Sequence, residues 1–253
     1  MIRVLTFLAC ALVAVAAVAE PVVLTAADGL KVHAEVWRAA GAKAPVILAF
    51  HQAESNTSEY STIGPRLAAA GFTVLAIDQR SGGDYFGGTN KTVAARGYSS
   101  AYEGALPDLL AALAWGKEEA HGAPVLLWGS SYSAALAFVV AARPKSGASG
   151  ILAFSPGEYL LRRRAVRSAA EKVTVPVYVT QGREPGELDS VRNIVRSIAS
   201  EEKVHFVATK GAAHGSSTLR EDVILRVRRK TGRPCSSSWP SSKRRERGYC
   251  RLG

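Results

Sequence analysis

The sequence predicts an α/β fold built on a mostly parallel, doubly wound sheet of about eight strands flanked by helices. Three observations carry this expectation. Short apolar runs bounded by turn residues recur along the chain, at Val46–Phe50, Thr73–Ile77, Val125–Trp128, Ile151–Phe154, Val175–Thr180 and Val204–Ala208. They are apolar almost without interruption, as strands buried on both faces of a parallel sheet are. Helical patterns fall between them, so strand and helix alternate as in βαβ units. Hydrophobic residues make up 47% of 253, enough for one sizeable core without a division into two domains.

The elements follow in order. Residues 1–19 read as a secretory signal. Arg3 gives a positive start, Val4–Val18 is apolar apart from Thr6, and Ala17-Val18-Ala19 is a small-x-small cleavage pattern before Glu20. The run is short for a membrane span, so no span is expected once the signal is removed. An uncleaved anchor is the alternative, and a lipoprotein site at Cys10 fits less well. Val32–Trp37 alternates in polarity, as one strand of an antiparallel edge hairpin does. Helices are expected at Glu59–Ala70, Ser100–Glu119, Ser131–Ala142, Leu160–Lys172 and Glu187–Ala199. Residues 82–99 are Gly-rich and contain Tyr85, Phe86 and Tyr98. They read as a long loop that either lines a site or is plain surface.

The net charge of +11 does not mark a nucleic-acid-binding domain. From Arg220 to the end there are 11 Lys/Arg and 3 Asp/Glu, so most of the excess sits in a tail rather than on a binding face. The compact domain is expected over residues 20–229. Residues 230–253 carry Ser236-Ser237-Ser238, Pro234, Pro240 and Lys243-Arg244-Arg245 with no apolar period, and read as a solvated basic tail. With Cys10 removed, Cys235 and Cys250 remain. They can pair in an oxidising compartment, outside the core.

The chemistry concentrates at Gly129-Ser130-Ser131-Tyr132-Ser133, between an apolar strand and a helical run. A nucleophilic serine at the tip of a sharp strand-to-helix turn needs small residues two before and two after it. Gly129 and Ser133 satisfy this for Ser131, whereas Trp128 would crowd the turn if Ser130 took the role. Ser133 departs from the G-x-S-x-G pattern. A Ser-rich helix cap is the bland alternative.

Of the five histidines, His214 follows the last strand-like run, on the sheet edge where the serine turn is expected. His33 and His205 fall inside strands, and His121 lies in a polar turn. The chain order serine, acid, histidine points to an acid after Val175–Thr180. Glu184 and Glu187 are the candidates there, with Glu187 preferred because Leu188 can begin packing the following helix. Backbone N–H groups of Tyr132 and of the loop after Val46–Phe50 are candidate oxyanion donors. Ala53 is the first choice in that loop and Gln52 the second, with His51 expected to hold the loop.

Four segments carry a family resemblance: FHQAESN at 50–56, LAIDQRSGG at 75–83, GSSYS at 129–133 and AHGSS at 213–217. Over roughly residues 25–220 the chain resembles α/β-hydrolases of the dienelactone-hydrolase-like kind, with serine in place of that enzyme's cysteine. FHQA stands where many relatives have His-Gly. The signal at 1–19 implies a secreted or periplasmic protein, and the resemblance implies a serine hydrolase without metal or organic cofactor. Its substrate would be a small carboxylic ester, lactone or thioester, and not a nucleic acid. The acyl-enzyme would form on Ser131, with His214 as base, Glu187 orienting it, and Tyr132 and Ala53 as oxyanion donors. The family also ends in a helix on the sheet, which residues 221–229 would start. The alternative is a catalytically inactive binding protein on the same scaffold.

Overall fold

A computed structural model of the chain describes residues 17–208, 212–220 and 222–223. Residues 1–16 of the expected signal, the basic tail at 230–253 and all three cysteines lie outside the described residues. So does most of the stretch expected to begin the closing helix.

Eight strands form one sheet: β1 Glu20–Thr25, β2 Lys31–Trp37, β3 Val46–Phe50, β4 Thr73–Ile77, β5 Val125–Ser130, β6 Gly150–Phe154, β7 Val177–Thr180 and β8 Lys203–Phe206. Their order is β1-β2-β4-β3-β5-β6-β7-β8. β1 and β2 make the antiparallel hairpin expected at the start, β2 pairs antiparallel with β4, and all later pairings are parallel. The chain leaves β3 for β4 on one side and returns to β5 on the other. The loops after β3 and β5 therefore meet at the point where strand order reverses, which is where open α/β sheets bind ligands.

Alternation along each strand builds two cores. From β3, Leu48 and Phe50 point to one face, with Leu75, Ile77 and Leu127 beside them. There they meet Leu109 and Leu113 of α3 (Leu106–Glu119) and Leu136 and Phe138 of α4 (Tyr132–Ala141). Ile47 and Ala49 point the other way with Val74, Ala76 and Trp128, and Ala68 of α1 (Gly64–Ala69) covers them. Continuous burial of β3 and β4 is the pattern their unbroken apolar runs predict.

Four expectations need correction. The apolar run at Val204–Ala208 is not buried on both faces. β8 is the sheet edge, and Val204 and Phe206 are exposed. The helix expected over Glu59–Ala70 is a 3-10 turn at Thr57–Tyr60 followed by α1, because Pro65 starts a new helix. The stretch at Leu160–Lys172 is helical only at α5 (Ala165–Ala170). Residues 82–99 are not all loop: they hold a second helix, α2 (Lys91–Arg96), capped by the Asn90 side chain and closed by Gly97 at φ 86°.

The segment after β4 anchors its surroundings residue by residue. Asp78 accepts the N–H of Thr57 and of Lys91, each at 2.8 Å. Arg80 is nearly buried and bridges Asp108 on α3 and Asp28 in the first hairpin. Of the two, only Arg80–Asp108 is a buried pair, and removing Asp108 costs about 3–5 kcal/mol, because an uncompensated charge remains.

Candidate active site

Strand β5 ends in a turn whose backbone is strained at one residue. Ser131 has φ 60° and ψ −123°, a conformation side chains rarely adopt. A Cβ on Gly129 would come within 2.3 Å of the Ala134 Cα, so the turn excludes any side chain there. Ser133 occupies the last motif position for a reason of its own. Its hydroxyl donates to the His51 carbonyl and accepts from Gln79 Nε2 at 2.7 Å, joining α4 to the ends of β3 and β4.

His214 opens a 3-10 turn, Gly215–Leu219. Its Nε2 lies 2.8 Å from Ser131 Oγ, and its Nδ1 lies 3.1 Å from Glu187 Oε1. A carboxylate only accepts, so Nδ1 carries the proton and the Nε2 lone pair faces the serine hydroxyl. Gly215 has φ 64°, and a Cβ there would meet Ser130 Oγ at 2.4 Å, so this loop seats only with glycine next to the histidine. Ser131 is buried at 7% exposure, while the His214 side chain is 44% exposed. The imidazole thus has access to water.

Glu187 lies in the first turn of α6 (Pro185–Ser197), which begins two residues before the helix expected from Glu187. Burial acts to raise its carboxyl pKa. Hydrogen bonds from His214 and Ser155 and the N–H of Gly182 outweigh that and leave it below the ordinary range. It is therefore ionised and ready to hold an imidazolium. Glu184, the other candidate, caps the same helix at an exposed position with no side-chain cap bond.

The loop after β3 is tightly held. His51 is fully buried, and burial pushes its pKa down to about 4. Its neutral ring donates from Nδ1 to the Gln52 carbonyl at 2.8 Å and accepts the Gln79 N–H on Nε2 at 3.0 Å. That is a holding role, as the sequence predicts. The Gln52 N–H, the second-choice oxyanion donor, is bound to Glu59 Oε2 at 2.7 Å. Tyr132 is the first residue of α4, where a backbone N–H has no partner within the helix.

Residues 82–99 brace this loop from outside. Tyr85 N–H donates to Glu54 O at 2.7 Å, and Gly83 N–H to Ser55 O at 2.8 Å. Asn56 Nδ2 reaches the carbonyls of Gly83, Tyr85 and Gly88.

Sequence reasoning missed three side chains. Gln79 ties β4 to the serine turn and donates to the Tyr132 hydroxyl at 2.7 Å. Tyr159 stands beside Ser131. Burial raises the pKa of its hydroxyl, and the Ser131 side chain partly offsets that. Glu59 is fully buried beneath the site, and burial pushes its carboxyl up to about 7. Glu59 and Tyr159 stand in no recognisable motif of the sequence, whereas Gln79 lies within the segment 75–83 that carries the family resemblance, where nothing in its residue type marks it as part of the site.

A cavity of about 470 Å³ between α4 and α5, lined by residues such as Val139, Leu161 and Ala169, contains none of the candidate residues. Among the described residues no group of His, Cys, Asp and Glu is spaced to hold a metal ion, and no helix is long and apolar enough to cross a membrane.

The family model described as Serine aminopeptidase, S33 matches residues 41–229. A comparison with curated proteins finds no match. Among solved structures, an esterase from Pyrococcus furiosus superposes at TM-score 0.62 and 18% identity, covering 83% of this chain and 90% of that one. A dienelactone hydrolase from Anabaena variabilis gives TM-score 0.62 at 16% identity, over 85% and 95% of the two chains. An esterase from Thermogutta terrifontis, phosphoramylated by tabun, gives 0.60 at 16%, over 84% and 92%. At these identities the likeness is one of fold.

Proposed function

The chain belongs to the Serine aminopeptidase, S33 family of α/β-hydrolases, and from that premise we propose that it hydrolyses a carboxylic ester through an acyl-enzyme on Ser131. It is an α/β-hydrolase enzyme; the substrate class and the residue roles are our reading. The observation that carries it is the unbroken contact from Ser131 Oγ through His214 to Glu187, at 2.8 Å and 3.1 Å.

The steps follow from that geometry. Ser131 Oγ attacks the ester carbonyl while His214 Nε2 takes its proton. Glu187 holds the imidazole in the Nδ1–H tautomer and stabilises the imidazolium. The oxyanion rests on the N–H groups of Tyr132 and Ala53, and loss of one such donor costs about 2.7–4 kcal/mol of transition-state stabilisation. Collapse breaks the bond to the leaving alcohol, which receives the proton from Nε2. Water then adds to the acyl-enzyme as His214 takes its proton, and the acid departs as that proton returns to Ser131.

An ester is favoured over a peptide because β6 and α5 are joined by residues 155–164 alone. That connection leaves no room for a domain to select peptides, and the exposed imidazole needs no lid to admit water. The names of the esterases and the dienelactone hydrolase that share the fold agree with this choice. We also propose export by the signal at 1–19. β1 begins at Glu20, so cleavage there removes no strand residue.

The experiment is a panel of p-nitrophenyl esters of increasing chain length, with aminoacyl p-nitroanilides beside them, run on the wild type and on Ser131→Ala. Ester turnover abolished by the substitution is expected. Turnover of anilides in preference to esters would replace the ester with a peptide substrate.

A further inference from the structure

We propose that Glu59 is a positioning residue, holding the Ala53 N–H and the Ser131 turn in register for the oxyanion; this rests on the acyl-transfer reading above. Its side chain is fully buried where three loops meet. Oε2 accepts the N–H of Gln52 at 2.7 Å, one residue before Ala53. Oε1 accepts the hydroxyl of Ser130 at 2.6 Å, one residue before Ser131. The Ser130 oxygen in turn accepts the N–H of Ser216 at 2.9 Å, two residues after His214. One carboxyl group thereby connects the loop carrying the proposed oxyanion donor, the turn carrying the nucleophile and the loop carrying the base.

The bond to Gln52 also decides which N–H the loop can offer. With Gln52 committed to Glu59, the next one along, Ala53, is the loop's donor. The main chain at Glu59 is fixed as well, since Arg220 Nη1 donates to its carbonyl at 3.0 Å. An apolar residue of equal length would fill the space but leave a buried N–H and a buried hydroxyl unsatisfied. Both groups are covalent neighbours of proposed reacting groups. They would seek other partners, and the donors would move relative to Ser131. The ground-state ester uses that alignment less than the tetrahedral intermediate does, so the loss falls on kcat rather than KM.

The test uses the full chain with p-nitrophenyl acetate as substrate and phenylboronic acid as a tetrahedral mimic. Glu59→Met should lower kcat about tenfold to a hundredfold, leave KM nearly unchanged and raise the boronate Ki by a similar factor. Glu59→Gln should recover most of the loss, because its amide oxygen still accepts from Gln52 and its NH₂ still reaches Ser130. A folded Glu59→Met with wild-type kcat, or one that loses thermal stability alone, overturns the assignment. If Glu59→Met does not fold, Glu59→Asp decides, since its shorter arm cannot reach both partners. The same separation of kcat from KM supports the assignment, and an unchanged kcat overturns it. A wild type without Ser131-dependent hydrolysis overturns both this assignment and the reading beneath it. An active wild type with an equally active Glu59→Met overturns this assignment alone.

Discussion

Glu187 Oε1 stands 3.1 Å from Nδ1 of His214, and the same oxygen accepts the N–H of Gly182, also at 3.1 Å. The carboxylate is thus held from the end of β7 while it orients the imidazole. Glu187→Gln keeps the shape but can present an N–H to Nδ1, favouring the wrong tautomer. It should lower kcat by about 10³–10⁴-fold, as loss of the orienting carboxylate does elsewhere. Glu184→Gln should leave kcat unchanged, because that side chain is exposed at the helix cap. Steady-state kinetics of the two variants separate the candidates.

Ser133 stands where the motif usually has glycine, and its hydroxyl is engaged twice, by His51 O and Gln79 Nε2. Restoring the glycine should therefore destabilise the protein. Two buried polar groups would lose a partner, at about 1–3 kcal/mol each before rearrangement. Glycine inside α4 adds about 0.5–1 kcal/mol. Urea unfolding of Ser133→Gly and Ser133→Ala checks this, and a glycine variant as stable as the wild type would contradict it.

The pH dependence of stability should carry the signature of Glu59. Its carboxyl is raised by burial from 4.5 to about 7 in the folded chain. Between those values the folded state holds a proton that the unfolded state has released, so unfolding free energy falls as pH rises. The contribution is fully present below about pH 4.5 and lost as pH climbs through about 7, a span of roughly 3 kcal/mol. Urea unfolding at about pH 4.5 and about pH 7.5 should show this loss in the wild type and not in Glu59→Gln. Parallel slopes for the two proteins would contradict it.

The sheet was legible because its central strands are buried on both faces. β3 and β4 are unbroken apolar runs, and they begin and end where those runs do. β8 looks the same in sequence but lies at the edge, and an apolar run does not say how many neighbours a strand has. The break before α1 had a signal in Pro65, and α2 had one in Asn90 and Gly97, hidden among the flanking glycines. Ser131, Glu187 and His214 could be named as candidates because motif, spacing and chain order constrain them together. Glu59 could not. A carboxylate between Ser58 and Tyr60 in an amphipathic stretch has the pattern of a surface residue, and only the fold shows it buried beneath the serine turn.

Hydrolysis as proposed requires Ser131 Oγ to be a nucleophile activated by His214. Intact-protein mass spectrometry after exposure to a fluorophosphonate measures this directly. One adduct per wild-type chain is expected, mapped to Ser131, with no adduct and no ester turnover in Ser131→Ala and greatly slowed labelling in His214→Ala. A wild type that stays unlabelled, or a Ser131→Ala protein that still labels or hydrolyses esters at the wild-type rate, would contradict it.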